Sequence, residues 1–190
     1  MKIAALILLF FTLETAYAQD GYNYEVSNEF PYGKLNPNAP KQLLDFGQLI
    51  GEYDCTSETR KADQSWNEPE KIIWRWKYIM NGNGIQDETL KPDGSHSGSI
   101  RQYDSDSLTW RVHYYTNKST PSTLSAWTGG MTDAKEIVLY NEQKAPNGMD
   151  GYYKITFFDM TDKGFNWLGE WVDKQQTFSY PTWKITCKSN

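Results

Sequence analysis

Glu88 and Arg101 are the two residues of this chain best spaced to do chemistry together. Segments 84–91 and 97–104 both alternate in polarity, and Pro92-Asp93-Gly94-Ser95 between them is a turn signal. A tight hairpin centred on Gly94-Ser95 sets Glu88 opposite Arg101, Gln86 opposite Tyr103, and Leu90 opposite Ser99. On an inward face this is a buried ion pair among aromatic rings. Such a pair would orient the polar end of a ligand, or hold a carboxylate with a shifted pKa for acid–base work. On an outward face it is an exposed cross-strand pair contributing roughly a few tenths of a kcal/mol. A slip of one residue in the register would break it.

His113 is the second candidate. It shares a face with Arg111, opposite Trp110, Val112 and Tyr114. Facing outward it is a solvated histidine; facing inward it would be a proton donor or a haem ligand, and no second feature supports haem. Trp66 and Trp127 lie in or near loops and would make a platform for sugar rings, or else line the interior, where large aromatics usually go. The chain has no nucleophile elbow, phosphate loop, calcium loop or His-Glu zinc helix. Its two cysteines, Cys55 and Cys187, and two histidines, His96 and His113, have no short ligand spacing, so neither a metal nor a cofactor is expected. Asn117-Lys118-Ser119 fits a glycosylation acceptor, which matters only in a eukaryotic host.

The elements that would carry these residues begin with an export signal. Met1-Lys2 is a basic start, 3–13 an apolar run too short to span a bilayer, and Ala16-Tyr17-Ala18 a cleavage pattern. Residues 1–18 are thus expected as a signal peptide, cut before Gln19, and the protein as periplasmic or secreted. No Cys follows the apolar run and no later segment is apolar enough to anchor the chain in a membrane. With net charge −5, a pI near 5.1 and no basic patch, nucleic acid is not an expected partner. In an oxidising compartment Cys55 and Cys187 are expected to form a disulfide.

Residues 19–39, broken by Gly21, Pro31, Gly33 and Pro37, read as an irregular arm pinned to the domain by Tyr22, Tyr24, Phe30 and Tyr32. Residues 40–47 read as a short helix burying Leu43, Leu44 and Phe46. From Leu49 the period becomes two. Strands are expected near 49–60, 70–80, 84–91, 97–104, 109–116, 123–128, 135–142, 151–159, 164–173 and 182–188, with Gly129-Gly130 among the turns. Trp74, Trp76 and Tyr78 share one face of the second strand; Phe165, Trp167 and Trp171 share one face of the ninth. The domain 40–190 is therefore expected to be all-β: a single antiparallel up-and-down barrel of about ten strands. A Cys55–Cys187 bond would join the first and last strands, which in a meander requires closure.

Laid out in this order, the motifs resemble a bacterial family of calycin-like, lipocalin-like barrels of unassigned function. The matches are Leu43-Leu44-Asp45-Phe46-Gly47-Gln48-Leu49-Ile50-Gly51-Glu52-Tyr53, Asn81-Gly82, Ile85-Gln86-Asp87-Glu88, Arg101-Gln102-Tyr103-Asp104 and Trp110-Arg111-Val112, then 153–161, Phe165-Asn166-Trp167 and Thr182-Trp183. The family commonly has Trp where Tyr53 stands. The chain departs from it in its exported arm, its Cys pair, and 175–181 in place of a Gly-rich hairpin. The resemblance implies a lipocalin-like or fatty-acid-binding-like barrel with an internal cavity, and no established reaction.

Three functions fit these readings. The first is an exported protein that binds a small, partly apolar ligand in a cavity of some hundreds of Å³, lined by Trp74, Trp76, Tyr78, Gln86, Glu88, Arg101, Tyr103, Trp110, Trp167 and Trp171. The second is an isomerase, cyclase or hydrolase in which Glu88, Arg101 or His113 converge on one pocket. The third is a surface module for glycan or protein, with an exposed aromatic patch near Trp66 or Trp127.

Overall fold

The computed structural model describes residues 21–189; the expected signal peptide, 1–18, lies outside the described residues. Ten strands follow in chain order: β1 (Gly51–Thr59), β2 (Glu70–Ile79), β3 (Gly84–Leu90), β4 (His96–Asp104), β5 (Thr109–Thr116), β6 (Ala126–Met131), β7 (Ile137–Glu142), β8 (Gly151–Thr161), β9 (Gly164–Asp173) and β10 (Ser179–Ser189). Each pairs antiparallel with its chain neighbours, and β1 also pairs with β10, so the sheet is a closed up-and-down barrel. Closure leaves no unpaired sheet edge.

The alternation that built the expectation is what the barrel uses. In β2, Ile72, Trp74, Trp76 and Tyr78 are buried, while Lys71, Ile73 and Arg75 are exposed. At the seam Cys55 lies directly opposite Cys187, at disulfide distance with Cα atoms 4.1 Å apart. Two strands depart from expectation. Gly129-Gly130 is not a turn but lies inside β6, where a Cβ on Gly129 would run into the Val138 carbonyl. The chain reverses instead at 132–136, where the Thr132 N–H donates to the Glu136 carbonyl (2.8 Å) and Lys135 adopts φ 63°. β10 begins at Ser179, and Pro181 is tolerated because the register shifts between it and Trp183.

Short 3-10 turns, Lys41–Asp45 and Gly47–Leu49, stand where a short helix was expected; no α-helix forms there. A period of three puts Leu43, Phe46 and Leu49 on one side, all fully buried. Leu44, expected in the core, is 58% exposed for the same reason. Phe46 packs against Trp76, Trp110 and Phe157, with ring centroids 4.9–5.8 Å away, and plugs one end of the barrel. The Trp110 indole N–H donates to Asp45 (3.0 Å) beside this plug. Burial pushes the Asp45 carboxyl pKa up, against the pull of that hydrogen bond.

The described part of the arm has no strand, and of the four rings expected to pin it Tyr24, Phe30 and Tyr32 are partly buried. Tyr22 is 85% exposed. Backbone and amide groups dock the arm on the β2–β3 hairpin: Tyr78 N–H donates to the Tyr32 carbonyl (2.9 Å), and Tyr24 N–H to the Asn81 side chain (3.0 Å). The Asn36 side chain donates to the Asn81 carbonyl (3.1 Å). Gly82, at φ 76°, lies so close to Lys34 and Asn36 that a Cβ would meet their backbone at 2.5 Å.

Candidate functional site

The β3–β4 hairpin decides which side chains enter the barrel. Its loop has three residues, Pro92-Asp93-Gly94, closed by Lys91 N–H donating to the Ser95 carbonyl (3.0 Å). Gly94 takes φ 77°, the left-handed position that such a loop requires. The Asp93 carboxylate accepts from the Ser95 N–H (2.8 Å) and hydroxyl (2.7 Å), which lowers its pKa to about 2. A depressed folded pKa contributes stability that is present above the ordinary value of 3.8 and is lost as pH falls toward about 2. Asp93→Asn is expected to remove that part of the acid sensitivity in pH-dependent urea unfolding. Parallel curves for variant and wild type over this window would contradict it.

This loop places Arg101 opposite Ile85, Glu88 opposite Gly98 and Leu90 opposite His96. The register expected from a centre on Gly94-Ser95 is therefore wrong by three residues, an odd number, which exchanges faces. Glu88 and Gln86 lie outside: Glu88 is 3.7 Å from Lys77, and Gln86 donates to the Tyr115 hydroxyl (2.6 Å). The acid that meets Arg101 is Asp87. Arg101 donates from Nη1 to Asp87 Oδ1, and the Trp74 indole N–H donates to Asp87 Oδ2 (2.7 Å). Both charged side chains are only 4% exposed. The guanidinium also lies 4.4 Å from the Trp76 ring centroid and 5.1 Å from that of Phe46. Among the described residues Arg101 Nε has no hydrogen-bond partner. Asp87 carried a signal in the sequence: it shares its parity with Ile85, the apolar residue that marks the inward face of β3.

Above this pair is a cavity of about 550 Å³. Antiparallel order puts alternate connections at the same end of the barrel. The plugged end carries the β2–β3 hairpin and its alternates; the cavity reaches the other end, where Lys91, Ser125 and Gln143 from three connections line it. Its walls differ in chemistry. β2, β8, β9 and β10 supply Ile72, Trp74, Ile155, Phe157, Trp167, Trp183 and Ile185, with the Tyr153 ring. β3 and β4 supply Asp87, Thr89, Ser97, Ser99 and Arg101. The Thr89 and Ser97 hydroxyls are 2.7 Å apart. The Tyr153 hydroxyl lies 3.0 Å from that of Thr182, and burial pushes its phenol pKa up. At the mouth Lys91 donates to Glu70 (2.9 Å).

Of the ten residues expected to line the interior, Trp74, Arg101 and Trp167 line this cavity. Trp76 and Trp110 are fully buried in the plugged half and Tyr78 joins the same core; Tyr103 stands edge-on to Trp110 at 5.6 Å. Trp171 is buried beside the cavity rather than in it, its indole N–H donating to the Gln143 carbonyl (3.0 Å). His113 alternates with the inward Val112 and Tyr114 on the outer face, so Glu88, Arg101 and His113 do not meet at one pocket. Trp127 points into the cavity, while Trp66 is half-buried under Lys184 and Arg60, 4.7 and 5.8 Å from its ring centroid; the two form no joint platform. Sequence reasoning missed Asp87, Ser99, Tyr114 and Asn141 as cavity residues.

No family model matches the chain, and no curated protein matches it. Among solved structures, the crystal structure of Rv2717c from M. tuberculosis is similar at 9% sequence identity, covering 80% of this chain and 99% of its own, with a TM-score of 0.49.

Proposed function

We propose that this protein is an exported, calycin-like barrel that holds a small, partly apolar molecule in its interior. The observation that carries the reading is the uneven filling of the barrel. One half is packed solid by Phe46, Trp76 and Trp110, while the other keeps a cavity of about 550 Å³ with an aromatic wall and a polar wall. That volume is in the usual range for small-molecule sites, roughly 300–1,000 Å³. Aromatic residues such as Trp74 and Trp167 would cover the apolar face of a ligand, and the groups of β3 and β4 would orient its polar atoms. The Cys pair at bonding distance is compatible with an extracellular address.

Titration with N-phenylnaphthylamine, an uncharged fluorescent probe, tests the site. Saturable binding is expected, with loss of at least about tenfold in Leu139→Trp, whose larger side chain would occupy the cavity. Unchanged binding by a folded Leu139→Trp would place the probe elsewhere and remove the reading. Native mass spectrometry of protein from its host's envelope is expected to show a retained small molecule. N-terminal sequencing of the same material is expected to begin at Gln19; a chain still beginning at Met1 would remove the export proposal.

A further inference from the structure

Resting on the barrel-ligand reading, we infer that the ligand's buried end is an uncharged hydrogen-bond acceptor, such as a carbonyl oxygen, and that Asp87 is the residue that excludes carboxylates. A lone arginine at the floor of an apolar cavity would select a carboxylate, since its planar fork matches that group. Arg101 is not alone. Asp87 takes Nη1, and Trp74 holds the other oxygen of Asp87, so the acid cannot swing away to make room. The pair is electrically neutral at the cavity floor. A second carboxylate there would leave one uncompensated negative charge in a buried site, which is costly. The nearest cation lining the cavity, Lys91, is at the mouth and is paired with Glu70 at 2.9 Å.

Donor capacity nevertheless remains. Nη1 is the only guanidinium atom with a hydrogen-bond partner among the described residues, and Nε is buried without one. A guanidinium carries five N–H donors. An uncharged acceptor reaching Nη2, which is neither paired nor enclosed among the described residues, would use its donors without adding charge. The polar wall leading up from the pair is uncharged as well: the hydroxyls of Thr89, Ser97 and Ser99. The ligand that fits is neutral, with oxygen atoms along one edge and an apolar face against the aromatic wall.

Decanamide and decanoate, matched in length and shape, separate the two chemistries when each displaces N-phenylnaphthylamine at about pH 8, where the acid is ionised. Decanamide is expected to bind the wild type at least about tenfold more tightly than decanoate. Asp87→Asn keeps the shape of the site but leaves Arg101 uncompensated, and is expected to narrow or reverse that ratio. Decanoate binding as tightly as decanamide, with the probe bound and displaced, would overturn the inference while leaving the cavity reading intact. Absence of saturable probe binding would remove both. The wild-type comparison decides the matter even where Asp87→Asn fails to fold.

Discussion

Arg101→Met is expected to lower the free energy of unfolding by about 3–5 kcal/mol, read as a fall in the urea midpoint followed by tryptophan fluorescence. The variant leaves the Asp87 carboxylate at 4% exposure with the Trp74 N–H as its remaining partner. The cost is that of an uncompensated buried charge, not the worth of the ion pair. The double variant Asp87→Leu/Arg101→Met is therefore expected to recover most of the loss, ending within about 1–2 kcal/mol of the wild type. Non-additivity of this size is the mark of two groups acting as one unit. Glu88→Gln, by contrast, removes an outward charge 3.7 Å from Lys77 and is expected to change stability by less than about 0.5 kcal/mol. If Glu88→Gln cost more than Arg101→Met, the assignment of faces in β3 would be wrong. On that expectation the ion pair contributes little net stability for its position.

Cys55→Ala/Cys187→Ala is expected to cost about 2–5 kcal/mol, measured by the same urea unfolding under non-reducing conditions. The two residues are 132 apart in sequence, so the cross-link removes a very long loop from the unfolded ensemble. The chain-entropy account gives about 5 kcal/mol for that length as an upper figure. The folded barrel loses little beside the bond itself, because β1 and β10 pair in unbroken register from Tyr53–Ser189 to Thr59–Trp183. Closure is expected to survive in the variant, with probe binding retained. Both cysteines are only 3% exposed, so dithiothreitol is expected to act on the wild type mainly through unfolded molecules. Equal urea midpoints for wild type and variant would show that the thiols are not bonded.

Face parity was legible wherever a strand carried several large rings. Trp74-x-Trp76-x-Tyr78 admits only one inward face, and the structure keeps it. β3 carries one strongly apolar inward residue, Ile85, so its parity rested on the turn. The turn was assigned two residues where Gly94, in the left-handed region, makes a three-residue loop. The three-residue change of register that follows puts Glu88 outside and Asp87 inside. The same arithmetic of period explains Leu44: a helical period hides it, while a 3-10 period exposes it.

The sequence by itself determined that the chain makes ten antiparallel strands and a barrel, because alternation, turn residues and the placement of two cysteines are local or countable properties. It also singled out Glu88 and Arg101 as a pair, of which the barrel encloses Arg101. Only the tertiary structure decided which acid meets Arg101 and that the barrel is half filled. It also decided that the candidate aromatics divide between a packed core and a cavity wall. Those outcomes depend on inter-strand register and on how far the 41–49 segment reaches into the barrel. Both are set by contacts between residues distant in the chain, and no local pattern encodes them.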